Sequence, residues 1–403
     1  MGKYLLISKK GVVMQDFIFN IPTKILFGKD QLSKLPEEIK KYGSKILLVY
    51  GQSSIKKIGL YDQLIKLFEE NSIEVFELSG IVPNPRIDKV REGVKIAKDN
   101  DIDFILAVGG GSTIDSAKLI AVGAKSESDP WDIVIGKEIP KDGIPLASII
   151  TLAATGSEMN AGSVITNEDT GQKLGWGSEY ARPKFALINP EYTYSVNKYH
   201  TAAGTCDIIS HTLENYFTLN DGAYLNDRFA EAILKTCIKY GPIAIKEPEN
   251  YEARSNLIWA NTWAINGLLN AGKSTSWSVH AIEHELSALR DITHGVGLAI
   301  LTPYWLEYCL DDQRSEKIAE FGYNVFDLEE TEDTMKDAKN AIESLREFFT
   351  SLGIPENLRE EGFTEEDLPI MAKNCVNNRT KAEINGFKHL EEEDILNIYK
   401  MAF

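Results

Sequence analysis

The stretch DFILAVGGGSTIDSAKLIAVGA, residues 103–124, decides the fold class. A short apolar run typical of a buried strand is followed at once by three glycines and a serine, and then by an apolar helix pattern. Glycines after a strand let the backbone approach a pyrophosphate closely, and the next helix directs free N–H groups at it. This order predicts an α/β sheet that binds a dinucleotide at the glycine turn.

A plainer interpretation of the same turn stays open. The sequence is not the G-x-G-x-x-G fingerprint, so it also fits an ordinary glycine turn that leads into a helix. Ser112 has two possible roles, because a serine here either caps the helix or donates a hydrogen bond to a phosphate.

Strand and helix patterns alternate on both sides of this stretch, and the alternation ends near residue 193. The pattern predicts a mostly parallel sheet with helices on both faces. We predict an α/β dinucleotide-binding domain over residues 1–192 and an all-helical metal-binding domain over residues 193–403. Strands are predicted at 45–50, 73–78, 103–108, 145–151 and 185–189, a β-hairpin at 163–177, and helices at 61–71, 86–100, 201–217, 226–240, 251–269, 277–289 and 296–310.

Composition narrows the choice of partners and compartment. A net charge of −17 over 403 residues disfavours nucleic acids and anionic membranes, whose phosphates it would repel. The apolar runs are shorter than the roughly 18–20 residues of a membrane span, and the first residues lack a convincing signal-peptide core. We expect a cytoplasmic protein with a loose extension before Met14. The four cysteines lack C-x-x-C spacing and fit reduced thiols.

Histidines and one aspartate form a candidate metal site. Asp207 and His211 are four residues apart, and so are His280 and His284, so each pair lies on one face of a predicted helix. His294 follows in the turn DITHGVG. Three imidazoles and one carboxylate suit Zn²⁺ or Fe²⁺ better than Mg²⁺ or Ca²⁺. A metal that polarises a carbonyl, together with a dinucleotide site, indicates metal-assisted hydride transfer.

A rival motif overlaps this set. His280-Ala-Ile-Glu283-His284 has the H-x-x-E-H spacing of inverted zinc proteases, in which both histidines bind zinc and the glutamate is the general base. That interpretation leaves Asp207, His294 and the glycine turn unexplained, so we rank it behind hydride transfer.

The end of the first predicted strand bears on the choice of coenzyme. NAD-selective sites often place an acid where it binds the adenosine ribose and repels a 2′-phosphate. Small polar residues and two lysines stand here instead, which favours NADP over NAD; the alternative is a solvated loop without a ligand. The candidate cofactor residues of this segment are Gly51, Gln52, Ser53 and Ser54.

From about Asp16 onward the chain resembles the iron-dependent alcohol dehydrogenases. It is most similar to their NADPH-dependent butanol dehydrogenase and aldehyde reductase branch. The block at 280–300 is the most specific, because its histidine spacing fits the metal-binding signature of that family. The resemblance rests on YGQSSIKK (50–57), PNP (83–85), GGGSTIDSAK (109–118), TLAATGSEMNAG (151–162), DIISHTLE (207–214), KEPENYEAR (246–254) and HAIEHELSALRDITHGVGLAI (280–300).

The resemblance implies a dehydroquinate synthase-like architecture with a metal in the cleft between two domains. It implies that Asp207, His211, His280 and His294 bind the metal, while His284 stays unliganded near the nicotinamide. There His284 either relays a proton or only orients the ring. Lys173 would approach a ribose, and Asn84 is a less certain contact. The remaining cofactor residues implied are Gly110, Gly111, Ser112, Asp115, Thr151 and Thr155.

The resemblance also implies a homodimer that converts short-chain primary alcohols or aldehydes, such as butanol and butyraldehyde. A metal-dependent lyase of the sugar-phosphate cyclase type is the alternative on the same scaffold. Such an enzyme needs basic residues for a substrate phosphate, and the helical half has no obvious cluster of them.

Overall fold

The structure is a computed structural model that describes residues 14–218, 222–379 and 384–403. The expectation of a loose extension before Met14 lies outside these ranges. The first half of the chain forms an α/β unit and the second half a helical unit, as predicted. The division at residue 192 stays a prediction.

A six-stranded sheet, parallel throughout its described pairings, organises the α/β half in the order β1-β8-β5-β4-β2-β3. A separate antiparallel hairpin, β6-β7, confirms the predicted hairpin. Every predicted strand is found with ends within one or two residues of the prediction. The strands are β1 Lys24–Phe27, β2 Lys45–Tyr50, β3 Glu74–Leu78, β4 Phe104–Gly109, β5 Leu146–Ile150, β6 Gly162–Asn167, β7 Gln172–Gly177 and β8 Phe185–Ile188.

Strand β4 lies inside the sheet and is buried along its whole length. Phe104 and Leu106 point to one apolar core, and Ile105 and Ala107 point to the other. Because helices cover both faces of the sheet, all side chains of a central strand are buried, and its sequence is a continuous run of apolar residues. The helices of this half are α1 Leu35–Lys40, α2 Ser54–Lys57, α3 Leu60–Glu70, α4 Ile87–Asp99, α5 Gly111–Gly123 and α6 Pro130–Val134.

The second half packs its helices around a third and larger apolar core. Its first helix begins after Asn197, whose side chain accepts a hydrogen bond from the His200 backbone N–H at 2.8 Å and so caps the helix. The helices are α7 Lys198–Tyr216, α8 Tyr224–Lys246, α9 Tyr251–Ala264, α10 Ser278–Arg290, α11 His294–Cys309, α12 Ser315–Phe326, α13 Thr334–Ser351, α14 Asp367–Asn378 and α15 Glu392–Met401.

One predicted helix was too long. The helix predicted over 251–269 ends at Ala264, because the chain leaves helical geometry at Ile265, where φ is −140°, and Gly267 with a φ of 99° prevents the helix from resuming. All four cysteines are free and buried, in line with the expected thiols. Within the residues described, no helix combines the length and the apolar character required to cross a bilayer.

Two glycines allow close backbone contacts at this end of the molecule, one between the two halves and one within the helical half. A Cβ at Gly204 on α7 would lie 2.2 Å from the Ala153 carbonyl oxygen, in the loop after β5. A Cβ at Gly295 on α11 would lie 2.0 Å from the Ala203 carbonyl oxygen. The loop after β5, α7 and α11 therefore meet backbone to backbone, beside the groups described next.

Candidate active site

The carboxyl ends of three neighbouring strands lie side by side. Tyr50 of β2 pairs with Val108 of β4, and Gly109 of β4 pairs with Ile150 of β5. The loops that follow these strands therefore form one edge of the sheet. A cavity of about 1060 Å³ begins at this edge and reaches into the helical half. Ligands of open α/β sheets bind at such an edge.

The glycine turn has the form that close approach requires. A Cβ on Gly111 would lie 2.3 Å from Thr155 Oγ1, so only glycine fits between α5 and the loop after β5. The helix begins at Gly111 with Gly110 as its N-cap. The interpretation of Ser112 as the N-cap is therefore wrong, because Ser112 already lies in the first helical turn. Its backbone N–H belongs to those that a helix leaves without an internal partner.

Asp115 lies one turn further along α5 and lines the cavity, but its carboxylate is already engaged. It accepts hydrogen bonds from Ser157 Oγ at 2.5 Å and from the Val164 backbone N–H at 2.9 Å. Burial raises its pKa. Nearby, the buried Lys118 ammonium donates to Ser157 Oγ at 2.8 Å, and burial lowers its pKa to about 8. This network fixes the loop after β5 against the glycine turn and the hairpin.

The predicted metal residues come together at the far end of the cavity. Ligand atoms of Asp207, His280 and His294 all lie within 4.8 Å of one another. His211 Nδ1 is 3.4 Å from Asp207 Oδ1, and the His211 and His280 ring centres are 4.7 Å apart. Asp207 and His211 share a face of α7, as their spacing predicts. His294 is the first residue of α11 and not part of the preceding turn.

Atoms of this cluster are buried without hydrogen-bond partners. They are Asp207 Oδ1, His211 Nδ1 and His280 Nε2. Leaving one buried polar atom unpaired costs about 1–3 kcal/mol, so three that face one another indicate a ligand. Burial lowers the pKa of His211 well below its usual value and that of His294 to about 4, which keeps both imidazoles neutral and able to coordinate. Burial, reinforced by Glu283, raises the pKa of Asp207.

A buried carboxylate holds the outer side of His294. Glu283 is fully buried and accepts a hydrogen bond from His294 Nδ1. Ser287 donates to the same carboxylate, and the Lys173 ammonium of β7 lies 3.5 Å from it. Burial opposes ionisation, but the positive charge of Lys173 and the hydrogen bonds from His294 and Ser287 outweigh it and lower the pKa of Glu283 to about 2. The hairpin of the α/β half thus contacts the metal cluster through Lys173.

Glu283 cannot act as the general base of an inverted zinc protease. A general base must reach a water in the cavity, whereas Glu283 is enclosed by its own partners and is absent from the cavity wall. The ring centres of His280 and His284 are 6.4 Å apart. Both ring nitrogens of His284 are buried without partners, and the residue lines the cavity.

The remaining predicted cofactor residues divide into two groups. Thr151, Thr155, Lys173 and Ser54 line the cavity, whereas Gly51, Gln52 and Ser53 lie outside its wall. Asn84 lines it too, but its amide donates to Asp291 Oδ1 at 2.8 Å and so joins the turn at 83–85 to the turn before α11. The cofactor contacts of all these residues stay predictions.

Sequence reasoning missed two charged residues at the site. Glu214 accepts a hydrogen bond from His280 Nδ1, and Arg379, which lines the cavity, donates to the Lys173 carbonyl at 2.8 Å. A signal for Glu214 was present, because it lies three residues after His211 on the metal-binding face of α7. Nothing in the local sequence pointed to Arg379, which reaches the cavity from the end of α14.

A dinucleotide-type sheet edge and an imidazole-carboxylate cluster that face one cavity define a class of metal-dependent oxidoreductases. Comparisons with known proteins agree. The family described as "Iron-containing alcohol dehydrogenase" matches residues 22–190, and "Fe-containing alcohol dehydrogenase family, C-terminal" matches residues 201–403. The chain belongs to the iron-containing alcohol dehydrogenase family.

Relatives with assigned names support this membership. The chain is 50% identical to NADH-dependent butanol dehydrogenase A of Clostridium acetobutylicum over 390 residues, which cover 97% of this chain and 100% of that protein. It is 40% identical to the NADPH-dependent aldehyde reductase YqhD of Escherichia coli, with 94% and 96% covered. The crystal structure of NADH-dependent butanol dehydrogenase A from Thermotoga maritima superimposes with a TM-score of 0.92 at 38% identity, with 97% and 100% covered.

Membership makes the protein an oxidoreductase of the alcohol dehydrogenase type. It implies a divalent metal and a nicotinamide cofactor. Neither the lyase nor the protease interpretation is favoured by these relatives.

Proposed function

We propose that the protein transfers hydride between NADPH and short-chain aldehydes such as butyraldehyde, and in reverse from primary alcohols such as butanol. When bound, the reduced nicotinamide would supply the hydride that the carbonyl carbon gains, and one proton would be added to the oxygen. One observation carries this proposal. Unpartnered ligand atoms of the metal cluster and the glycine turn line the same cavity.

The donor set fits a divalent metal, which we propose to be Fe²⁺ or Zn²⁺. Asp207, His211, His280 and His294 would hold it, since the three imidazoles and one carboxylate leave a net positive charge on the site. When bound, such a cation supplies Lewis acidity that stabilises negative charge on the substrate oxygen.

The α/β wall would hold the coenzyme. Gly110, Gly111 and Ser112 give the pyrophosphate a close backbone approach and the first N–H groups of α5. Thr151 and Thr155 flank this turn from the neighbouring strand end, and Lys173 extends from the hairpin toward the metal cluster. Asp115 keeps this wall in place through Ser157 rather than presenting a free carboxylate.

His284 is the proposed proton relay. Its ring lies 5.5 Å from the His294 ring, centre to centre, and both of its nitrogens are free to face a bound ligand. Burial lowers the pKa of His284, so the ring would be neutral at rest and would hold a proton only transiently during the transfer. His284→Ala should lower kcat and change its dependence on pH. An unchanged kcat across pH 6–9 would leave His284 only an orienting role.

We propose a preference for NADPH over NADH. The cavity wall at Ser54 and Ile55 contains no acid that would repel a 2′-phosphate. Four relatives at 42–50% identity are named NADH-dependent, two of them as probable, whereas the relative at 40% is named NADPH-dependent. The ratio of kcat/KM for the two coenzymes decides between them.

We also propose a homodimer. Strand β1 is an edge strand of the sheet, and an edge presents unpaired backbone groups to solvent. The segment before it exposes Phe17, Ile18 and Phe19, with Ile18 99% exposed. A second copy of the chain placed against this edge would cover both features. Sedimentation at micromolar concentration should give the mass of two chains.

One assay tests the proposed reaction. The purified protein should oxidise NADPH when butyraldehyde is added, and a chelator should abolish this activity until Fe²⁺ or Zn²⁺ is restored. Activity that is fully retained after complete metal removal would contradict the proposal.

A further inference from the structure

Helix α7 carries a further acidic residue, Glu214, in line with the two proposed ligands. Asp207, His211 and Glu214 follow one another at intervals of four and three residues, so they lie on one face of the helix. The first two point at the metal cluster. Glu214 lies on the same face of α7, one helical turn after His211, and it contacts the first residues of α10.

Glu214 contacts α10 at three points. Its Oε1 accepts the Val279 backbone N–H at 2.6 Å, and its Oε2 accepts the His280 backbone N–H at 3.2 Å. The same Oε2 is hydrogen-bonded to the His280 ring at Nδ1. The side chain is 3% exposed, so these bonds are shielded from water.

We infer that Glu214 is a positioning residue that holds His280 in the tautomer that binds metal. A carboxylate accepts hydrogen bonds and donates none, so the His280 proton resides on Nδ1. The lone pair is then on Nε2, which is buried, unpartnered and directed to the cluster. Carboxylate partners of this kind orient metal-binding histidines and raise their basicity. This inference rests on the proposed metal site.

The same carboxylate also caps helix α10. Trp277 occupies the N-cap position and makes no side-chain hydrogen bond to the helix, so Glu214 supplies the acceptors that the first turn needs. One residue of α7 therefore sets the start of α10 and the direction of its first ligand. A test must separate these two effects.

Glu214→Gln separates them. With its amide oxygen kept on the Val279 N–H, the glutamine keeps that part of the cap. Its NH₂ group replaces Oε2, so the His280 backbone N–H loses its acceptor and His280 Nδ1 faces a donor. That group donates a hydrogen bond, so Nδ1 becomes the acceptor and the ring proton moves to Nε2, the atom that must be free for metal. We expect Co²⁺ to bind about 10- to 100-fold more weakly.

The measurement is a Co²⁺ titration of the metal-free protein against a competing chelator, together with the unfolding temperature of the metal-free protein. Glu231→Gln is the matched control. Glu231 is also a buried acid of the helical half, on α8, and its partners include Tyr216 and Asn324. The Co²⁺ affinity of this control should stay within about twofold of that of the unchanged protein. That change is much smaller than the loss of about 10- to 100-fold expected when a metal-binding histidine loses its orienting partner.

The outcomes are distinct. A tenfold or larger loss of Co²⁺ affinity in Glu214→Gln alone, with an unfolding temperature no lower than that of Glu231→Gln, supports the positioning role. Unchanged affinity, or a loss that Glu231→Gln shares, overturns it. Should Glu214→Gln not fold, Glu214→Asp takes its place, and an affinity equal to the unchanged protein again overturns the role. If the unchanged protein itself binds no Co²⁺, the proposed function fails as well.

Discussion

The two walls of the cavity offer different kinds of groups to a ligand. The α/β wall is built from the ends of three strands and the start of α5, and its contribution is chiefly backbone N–H groups and small side chains. The helical wall presents the metal cluster, whose one carboxylate and three imidazoles come from three helices. A site made of backbone N–H groups depends on the shape of the backbone, so it tolerates substitutions that leave this shape unchanged. A side-chain site depends on the identity of each residue.

His280→Ala should have the largest effect and tests this difference most directly. Removing one of four ligand side chains leaves the site short of a donor, so we expect most of the metal to be lost. Lewis acidity contributes several kcal/mol to such reactions, and its loss corresponds to about a 10³-fold fall in kcat.

Metal content by mass spectrometry and NADPH-dependent butyraldehyde reduction are the two measurements. His389→Ala is the control, since His389 is 61% exposed and paired only to a neighbouring surface glutamate among its described contacts. Full metal content and an undiminished rate in His280→Ala would contradict the proposal that the helical wall depends on the identity of its metal-binding side chains.

The next prediction concerns a link between the two walls. The Asn261 side chain of α9 accepts the backbone N–H groups of Ala154 and Gly156 at 2.9 and 2.8 Å, and it donates to Glu158 at 3.0 Å. Asn261→Ala would leave two buried donors without partners. We expect the free energy of unfolding to fall by about 2–4 kcal/mol.

Urea unfolding measures this loss. Among the described contacts, the Asn256 side chain on the same helix donates only to the Glu252 carbonyl of α9 itself, so Asn256→Ala should change stability by less than about 1 kcal/mol. Equal losses in the two variants would mean that Asn261 does not hold the walls together.

Much of the α/β half could be predicted from the sequence because its strands are short and buried on both faces. β4 and β5 are continuous apolar runs between turn residues, and both were found within a residue or two. Helix ends were harder to place. α9 leaves helical geometry at Ile265, within a run that reads as helical in sequence, and the start of α5 falls before Ser112 rather than after it.

The candidate site could be predicted only where spacing carries information. Asp207 with His211, and His280 with His284, lie four residues apart, so one helix face brings each pair together. The partners of these histidines come from elsewhere in the fold. Lys173 of the hairpin meets the cluster through Glu283, and no local pattern reveals a contact across 110 residues of chain.

Gly111→Ala tests whether the α/β wall depends on shape. The new Cβ would overlap Thr155 Oγ1 at 2.3 Å, so the turn or the loop after β5 must shift. Strain of this kind costs about 1–3 kcal/mol, which corresponds to about a 10- to 100-fold rise in the coenzyme KM.

Metal content should stay unchanged in Gly111→Ala, since its effect is confined to the other wall. Gly175→Ala on β7 is the control, because its Cβ would make only an ordinary contact, 3.9 Å from Val164 Cγ2. A Gly111→Ala enzyme with the coenzyme KM of the control would contradict the proposed approach of the pyrophosphate.

Coenzyme choice should show the smallest effect, because it depends on one charge at an exposed part of the α/β wall. Gln52 is exposed and lies outside the cavity wall, two residues before Ser54, so Gln52→Asp adds a carboxylate beside the part of the wall where we propose that the 2′-phosphate binds. Two like charges a few ångströms apart at a water-exposed site repel by about 1 kcal/mol, so kcat/KM for NADPH should fall about fivefold relative to that for NADH. Gln63→Asp adds the same charge on the exposed side of α3 and should leave this ratio unchanged.

If the unchanged protein already uses NADH more efficiently than NADPH, or if Gln52→Asp changes kcat/KM for both coenzymes by the same factor, the 2′-phosphate does not bind at this strand end. The backbone wall would then set where the dinucleotide lies without selecting which one.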